Sequence, residues 1–314
     1  MSLTSSGLWL PRLATAQTTA LKWANLTPGF TILVTEYMQA KGLDKKHKLN
    51  LGEPTTYSAV STYYNDFIAG NYDVCIGSWD TFAARYEAGV PLQFVCAITT
   101  ASMINIVAPG NGVNSIKELK GKTVAAPQST GTYRMTRAIV KELEGIDLES
   151  ETSVQNVDNP AASITQVMVN RADAGLSWEP NISAGLEKVP DMKVLYNTGL
   201  EYRKKMGLEL PYFGVAVRKE VLEKDPSLAS RLDKAFAETL AGITGDVDDA
   251  VNVAGERSGI PPETIKLAIS SERLEFKHMS MAGDEGRKAV LTASEFLVRN
   301  GLLSRALDKD FFIS

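Results

Sequence analysis

From Leu21 onward, short apolar runs alternate with helix-length amphipathic segments, the pattern of a mainly parallel α/β sheet. LKWAN reads as a first strand and Pro28 to Lys41 as a helix stopped at Gly42, where glycine suits a left-handed cap. LNLGEP is predicted as the second strand, Ala59 to Ala69 as a helix ended by Gly70, and YDVCIGS as a third strand whose unbroken apolarity requires cover on both faces. Thr81 to Ala88 reads as a helix before the strand LQFVCAI. After the extended run SMINIVAP the alternation starts afresh. Ser115 caps IKELK, TVAAP is a strand, Thr132 to Glu144 a long helix, SVQNVD a strand, Ala161 to Asn170 a helix, and AGLSW and KVLYN are strands. PYFGVAV returns as an extended segment, and from Lys219 the pattern is almost wholly helical.

Two α/β units joined by two extended segments, near 100–108 and 211–217, predict a second lobe inserted into the first, with the paired crossings as a hinge. The expected division is 18–104 with 214–314 for the first lobe and 105–213 for the second. A chain of 314 residues also exceeds what one hydrophobic core organises comfortably. The helical tail has apolar faces at 3.6-residue spacing and is expected to pack back on the first lobe. Open parallel sheets take ligands beyond the carboxyl ends of their strands, so the site is expected between the lobes.

Composition narrows the function classes. The chain is 44% hydrophobic and 22% charged, with a net charge of −4 from interleaved acids and bases, which argues against nucleic acid as a partner. Residues 1–17 do not read as part of a fold: Leu8 to Leu13 followed by Ala14-Thr15-Ala16 before Gln17 has the form of a trimmed export signal. No later stretch offers the roughly 20 uninterrupted apolar residues that span a bilayer. Cys75 and Cys96 sit in strand-like runs at a spacing that matches no zinc or redox motif, and read as free structural thiols, with a disulfide between neighbouring strands as the alternative. His47 in DKKHK and His278 in EFKHM are in charged settings, so neither a metal centre nor a catalytic histidine is expected, and no cofactor. There is no GxSxG elbow, HExxH motif or P-loop.

The candidate site residues come from loops at strand ends. TVAAP runs into a polar turn, Gln128, Ser129, Thr130, Gly131 and Thr132, and then into a helix whose first N–H groups lack internal partners. Such an end binds an anion or carboxylate, though Ser and Thr there are also ordinary caps. AGLSWEP places Trp178 and Glu179 at another strand end, where Glu179 can take a ligand donor or sit in the first turn of the next helix. Ser78 and Trp79 of GSWD are the first-lobe counterpart, and the two tryptophans are positioned to sandwich a carbon skeleton, or to pack in the core. Thr27 in NLTPGF and Tyr212 on the return segment complete the set.

YNDFIAGNYDVCIGS (64–78), SIKELKGKTVAAPQSTGTYRM (115–135) and the stretch from Ala161 to Pro180, in this order, resemble the aliphatic sulfonate, taurine and nitrate-type binding proteins of ABC importers, the NMT1/THI5-like family. The resemblance implies a two-lobed type II periplasmic-binding fold, a periplasmic location and a membrane permease as partner; a monomer is expected. It also implies that Ser129, Thr130 and Thr132 hold an anionic head and that Trp178 lines the cleft. Glu179 stands where sulfonate binders tend to have Asp, and Trp79 replaces smaller residues, so an aromatic or pyrimidine ligand, as in thiamine-precursor binders, is the alternative. Pyrimidine synthases similar in fold carry a cysteine-rich motif and an active-site histidine, which this chain lacks. A regulator would be expected to carry a DNA-binding helix pair ahead of the first strand, where only the signal-like segment stands.

Overall fold

A computed structural model describes residues 20–313. The signal-like segment therefore lies outside the described residues. The strands are β1 (Ala24–Leu26), β2 (Thr55–Tyr57), β3 (Val74–Ser78), β4 (Leu92–Thr99), β5 (Ile104–Ala108), β6 (Thr123–Ala126), β7 (Ser153–Asn156), β8 (Ala174–Trp178), β9 (Lys193–Asn197), β10 (Phe213–Arg218) and β11 (Phe276–Ser280).

They form two sheets with one plan. In the first, β11, β4, β10 and β3 lie in that order, and a bridge from Trp23 to Val74 extends the sheet through β1 to β2. In the second the order is β7-β6-β8-β5-β9. Each sheet holds one antiparallel strand in its interior, β10 and β5, and each of these directly follows a crossing from the other lobe. Both crossings are thus anchored in the middle of a core.

The apolar runs behave as their pattern dictates. Every residue of β3 and β8 is buried, whereas the edge strands β2 and β7 are polar and largely exposed. The second strand lies further on than LNLGEP predicts. Lys48 and Asn50 take left-handed backbone (φ 55° and 27°), which leaves Leu51 a single bridge to Leu21, and pairing resumes only after Pro54. The tail is not purely helical either. FKHMS forms β11, an edge strand on β4 whose residues after the buried Phe276 stay half-buried and hide the period-2 signal.

Helix Leu228–Gly245 packs on β4 and β11 of the first lobe, where its Glu238 meets His47 Nε2 at 2.8 Å. The tail also reaches the second lobe, which its apolar periodicity did not reveal. Helix Pro262–Ser270 lies on helix Asn181–Lys188, with Thr264 Oγ1 donating to Glu187 at 2.6 Å. Helix Asp284–Arg299 lies on helix Gly131–Glu144, with Arg299 paired to Glu142 at 2.7 Å.

At the crossings the two extended segments touch. Thr100 bridges Pro211, Ala101 N–H donates to the Leu210 carbonyl at 2.8 Å, and Tyr212 N–H to the Thr99 carbonyl at 2.9 Å. Helix Thr198–Met206 starts flush against the first crossing: a Cβ on Gly199 would fall 2.2 Å from Ser102 N. Backbone cannot yield as a side chain tip does, so Gly199→Val should cost at least about 1–3 kcal/mol in chemical denaturation. An unchanged midpoint would show that this approach is slack.

Both thiols are free and buried. Cys75 on β3 pairs across to Ala216 and Cys96 on β4 to Val215, so β10 stands between them. Strands two apart are separated by roughly 9–10 Å, beyond disulfide reach. Burial pushes the Cys75 thiol up to about 12, which keeps it protonated.

Candidate functional site

A cavity of about 640 Å³ lies between the lobes, and the strand ends that line it are the carboxyl ends of β1, β3, β7 and β8 together with the start of β10. A second cavity of about 210 Å³ adjoins it and shares Leu26, Ser58, Val60, Asn159, Trp178 and Phe213.

The turn after β6 forms the polar wall. Thr130 caps helix Gly131–Glu144: its hydroxyl donates to the Pro127 carbonyl at 2.7 Å and accepts Tyr133 N–H at 3.3 Å. Ser129, Thr130, Gly131 and Thr132 all line the main cavity, and the N–H groups of Gly131 and Thr132 belong to the first turn, which has no internal acceptors. Thr132 Oγ1 lies 2.5 Å from the Tyr212 hydroxyl, a contact from the second lobe to the return segment. Burial first, and then the Asp80 carboxylate, raise the Tyr212 phenol well above its ordinary value, so it keeps its proton.

Opposite stands the first lobe. Ser78 ends β3, donates its hydroxyl to Thr81 at 2.9 Å and gives its N–H to the Tyr64 hydroxyl at 3.1 Å. Tyr64, Thr81, Arg85 and Arg134, none of them singled out in the sequence, line the same cavity. Arg134 Nη2 reaches across to Asp80 Oδ2 and Thr81 Oγ1, both at 3.2 Å. The Asp80 carboxylate is wholly buried, its Oδ1 has no hydrogen-bond partner, and it presses on Gly131, where a Cβ would come within 2.2 Å of it. Arg85 is exposed, and among the described residues no carboxylate pairs with it.

Of the remaining sequence candidates, Trp178 is 8% exposed and walls both cavities, while Thr27 and Glu179 line only the smaller one. Glu179 is fully buried and spent within the protein. Its Oε1 accepts from Arg273 Nε at 2.5 Å and its Oε2 from Ser183 N–H at 3.0 Å. Gln128 lines neither cavity, and its N–H donates to Asn156 Oδ1 at 3.1 Å. Trp79 also lies outside both. It opens helix Trp79–Glu87 with no exposed surface, and its indole donates to the Pro211 carbonyl at 2.8 Å, so it braces the crossing and forms no sandwich with Trp178. The chain turns helical directly after Ser78, earlier than Thr81, and that aims the indole into the core.

The cleft is thus divided. One half offers hydroxyls, a helix start and two guanidinium groups, with Asp158 as the one carboxylate among its lining residues. The other half offers Phe30, Phe213, Trp178, Pro28, Pro160 and Pro180.

A search of the curated proteins by sequence finds no match. Among solved structures, the periplasmic aliphatic sulphonate binding protein SsuA of Escherichia coli is similar with a TM-score of 0.75 at 16% identity, over 94% of this chain and 92% of its own. The alkanesulfonate-binding SsuA of Xanthomonas axonopodis pv. citri, bound to MOPS, gives 0.73 at 14% identity, over 94% and 96%. A Candida albicans gene product described as having the generic periplasmic binding protein fold gives 0.67 at 17%, over 93% of both chains. These likenesses show the fold, two lobes of the periplasmic-binding type. The family described as NMT1/THI5 like matches residues 30–245, more than half of the sequence, and the chain therefore belongs to the NMT1/THI5-like family.

Proposed function

We propose that the protein is the extracytoplasmic solute-binding component of an ABC importer, closing as a monomer on a small organic anion of the sulfonate class. The observation that carries this reading is the divided cleft, in which groups suited to an anionic head from both lobes adjoin an apolar chamber suited to its body. Its similarity to periplasmic binding proteins supports export and a membrane permease as partner. No helix among the described residues is long and apolar enough to cross a membrane.

The energetic logic is population shift. A ligand that touches Arg85 and Ser78 on one side and Thr130 to Thr132 on the other makes its full set of contacts only when the lobes are together, and so stabilises that state by its differential affinity. Chemistry is not part of the proposal: the lining includes no histidine or cysteine, and the hydroxyls of Ser78, Thr130 and Thr132 are bonded to Thr81, the Pro127 carbonyl and Tyr212 and not to a carboxylate or imidazole. The room of about 640 Å³ plus the adjoining 210 Å³ favours a sulfonate with a bulky or aromatic body over a two-carbon one.

Thermal-shift measurements test this directly. A ligand at 100 times its dissociation constant adds about 2.7 kcal/mol. An aromatic sulfonate or MOPS is expected to raise the melting temperature, taurine less so. The aromatic wall formed by Trp178 and Phe213 also admits a pyrimidine. A shift given by pyrimidines and by no anion would overturn the anionic assignment and leave the closure mechanism standing.

A further inference from the structure

Away from the cleft, the outer part of the first sheet assembles three donor groups that no spacing in the sequence links. Cys96 on β4 stands opposite Ser280 on β11, His278 lies on the same edge strand, and Asp233 comes from helix Leu228–Gly245 packed over both strands. One ligand atom from each of Cys96, Asp233 and His278 lies within 4.8 Å of the others. His278 Nε2 and Asp233 Oδ1 are 2.9 Å apart, and Asp233 Oδ2 accepts from Ser280 Oγ at 2.9 Å. The thiol is fully buried, whereas the His278 and Asp233 side chains are 22% and 17% exposed. The cluster therefore has a dry floor and an open mouth.

We propose that Cys96, Asp233 and His278 form a binding site for a divalent transition metal of the zinc class. Sulfur, imidazole nitrogen and carboxylate oxygen are the donors zinc takes, and three protein donors leave a fourth position for a water or the Ser280 hydroxyl. The sulfur selects against calcium and magnesium, which prefer oxygen throughout. A hydrogen-bonded Asp233, His278 and Ser280 would by themselves tie β11 to the helix. The thiol adds nothing to that network, and its placement within reach of both partners is what the metal explains. On binding, the thiol proton leaves to solvent, while the imidazole coordinates through Nε2 with its proton on Nδ1, so one proton is released per metal. The site joins β4, the edge strand and the covering helix, and does not depend on the reading of the cleft.

The test is titration of the metal-free protein with Co²⁺. One equivalent should bind with a thiolate-to-cobalt charge-transfer band in the near ultraviolet, and one equivalent of Zn²⁺ should bleach it. Cys96→Ala should remove the band and Cys75→Ala should leave it intact. His278→Gln should weaken Co²⁺ binding by at least about tenfold. Far-ultraviolet circular dichroism of each metal-free variant confirms that it is folded; if Cys96→Ala is not, His278→Gln and the Cys75→Ala control decide. A wild-type protein without the band, or a band that survives in folded Cys96→Ala or is unaffected by His278→Gln, overturns the assignment.

Discussion

Gly131→Val should hold the lobes apart and weaken ligand binding on the order of a hundredfold, with each lobe still folded. The buried Asp80 carboxylate presses on Gly131, and both of its oxygens would lie within 2.5 Å of a Cβ there. Asp80 cannot swing aside cheaply, because it is enclosed and paired to Arg134. Relieving such an overlap costs about 1–3 kcal/mol, and each 1.4 kcal/mol is a factor of ten in the closed population. Valine itself is tolerated in a helix at a penalty below about 1 kcal/mol, so the damage falls on closure. Small-angle scattering should report a larger radius of gyration without any ligand. A variant that scatters and binds like wild type would mean that this contact does not limit the distance between the lobes.

The second large effect concerns Arg273. Among the described residues its guanidinium is the only countercharge paired with Glu179, whose side chain has no exposed surface. Arg273→Ala strands that carboxylate and should lower stability by about 3 kcal/mol in urea denaturation. Arg273→Met combined with Glu179→Gln should recover most of the loss, because the amide oxygen can still accept Ser183 N–H and no charge remains buried. If the double variant is as unstable as the single one, the pair matters for its packing and its charge does not.

Where side chains obey a strict period, the sequence was readable. The mainly apolar runs of β3, β4 and β8 announced themselves, and Gly42 and Gly70 stop their helices with φ of 65° and 82°. β11 escaped notice because an edge strand need not alternate. The turn at Ser129–Thr132 was legible from the strand, turn and helix order alone. Arg134 carried a signal that could have been used, since it lies three residues after Gly131 on the same helical face. The partnership of Glu179 with Arg273 spans 94 positions and leaves no local trace. Trp79 had two readings that rested on where the helix begins, a boundary that pattern fixes only to within a few residues.

The interposed strand β10 has a bearing on how the protein must be made. In the finished fold it keeps Cys75 and Cys96 from meeting, so any bond between them has to form while the chain is still open. Such a bond would tether strands that belong on opposite sides of β10 and bar its insertion. Preparations refolded with an oxidant should then accumulate a cross-linked, unproductive species, and a reductant should return it to the productive path.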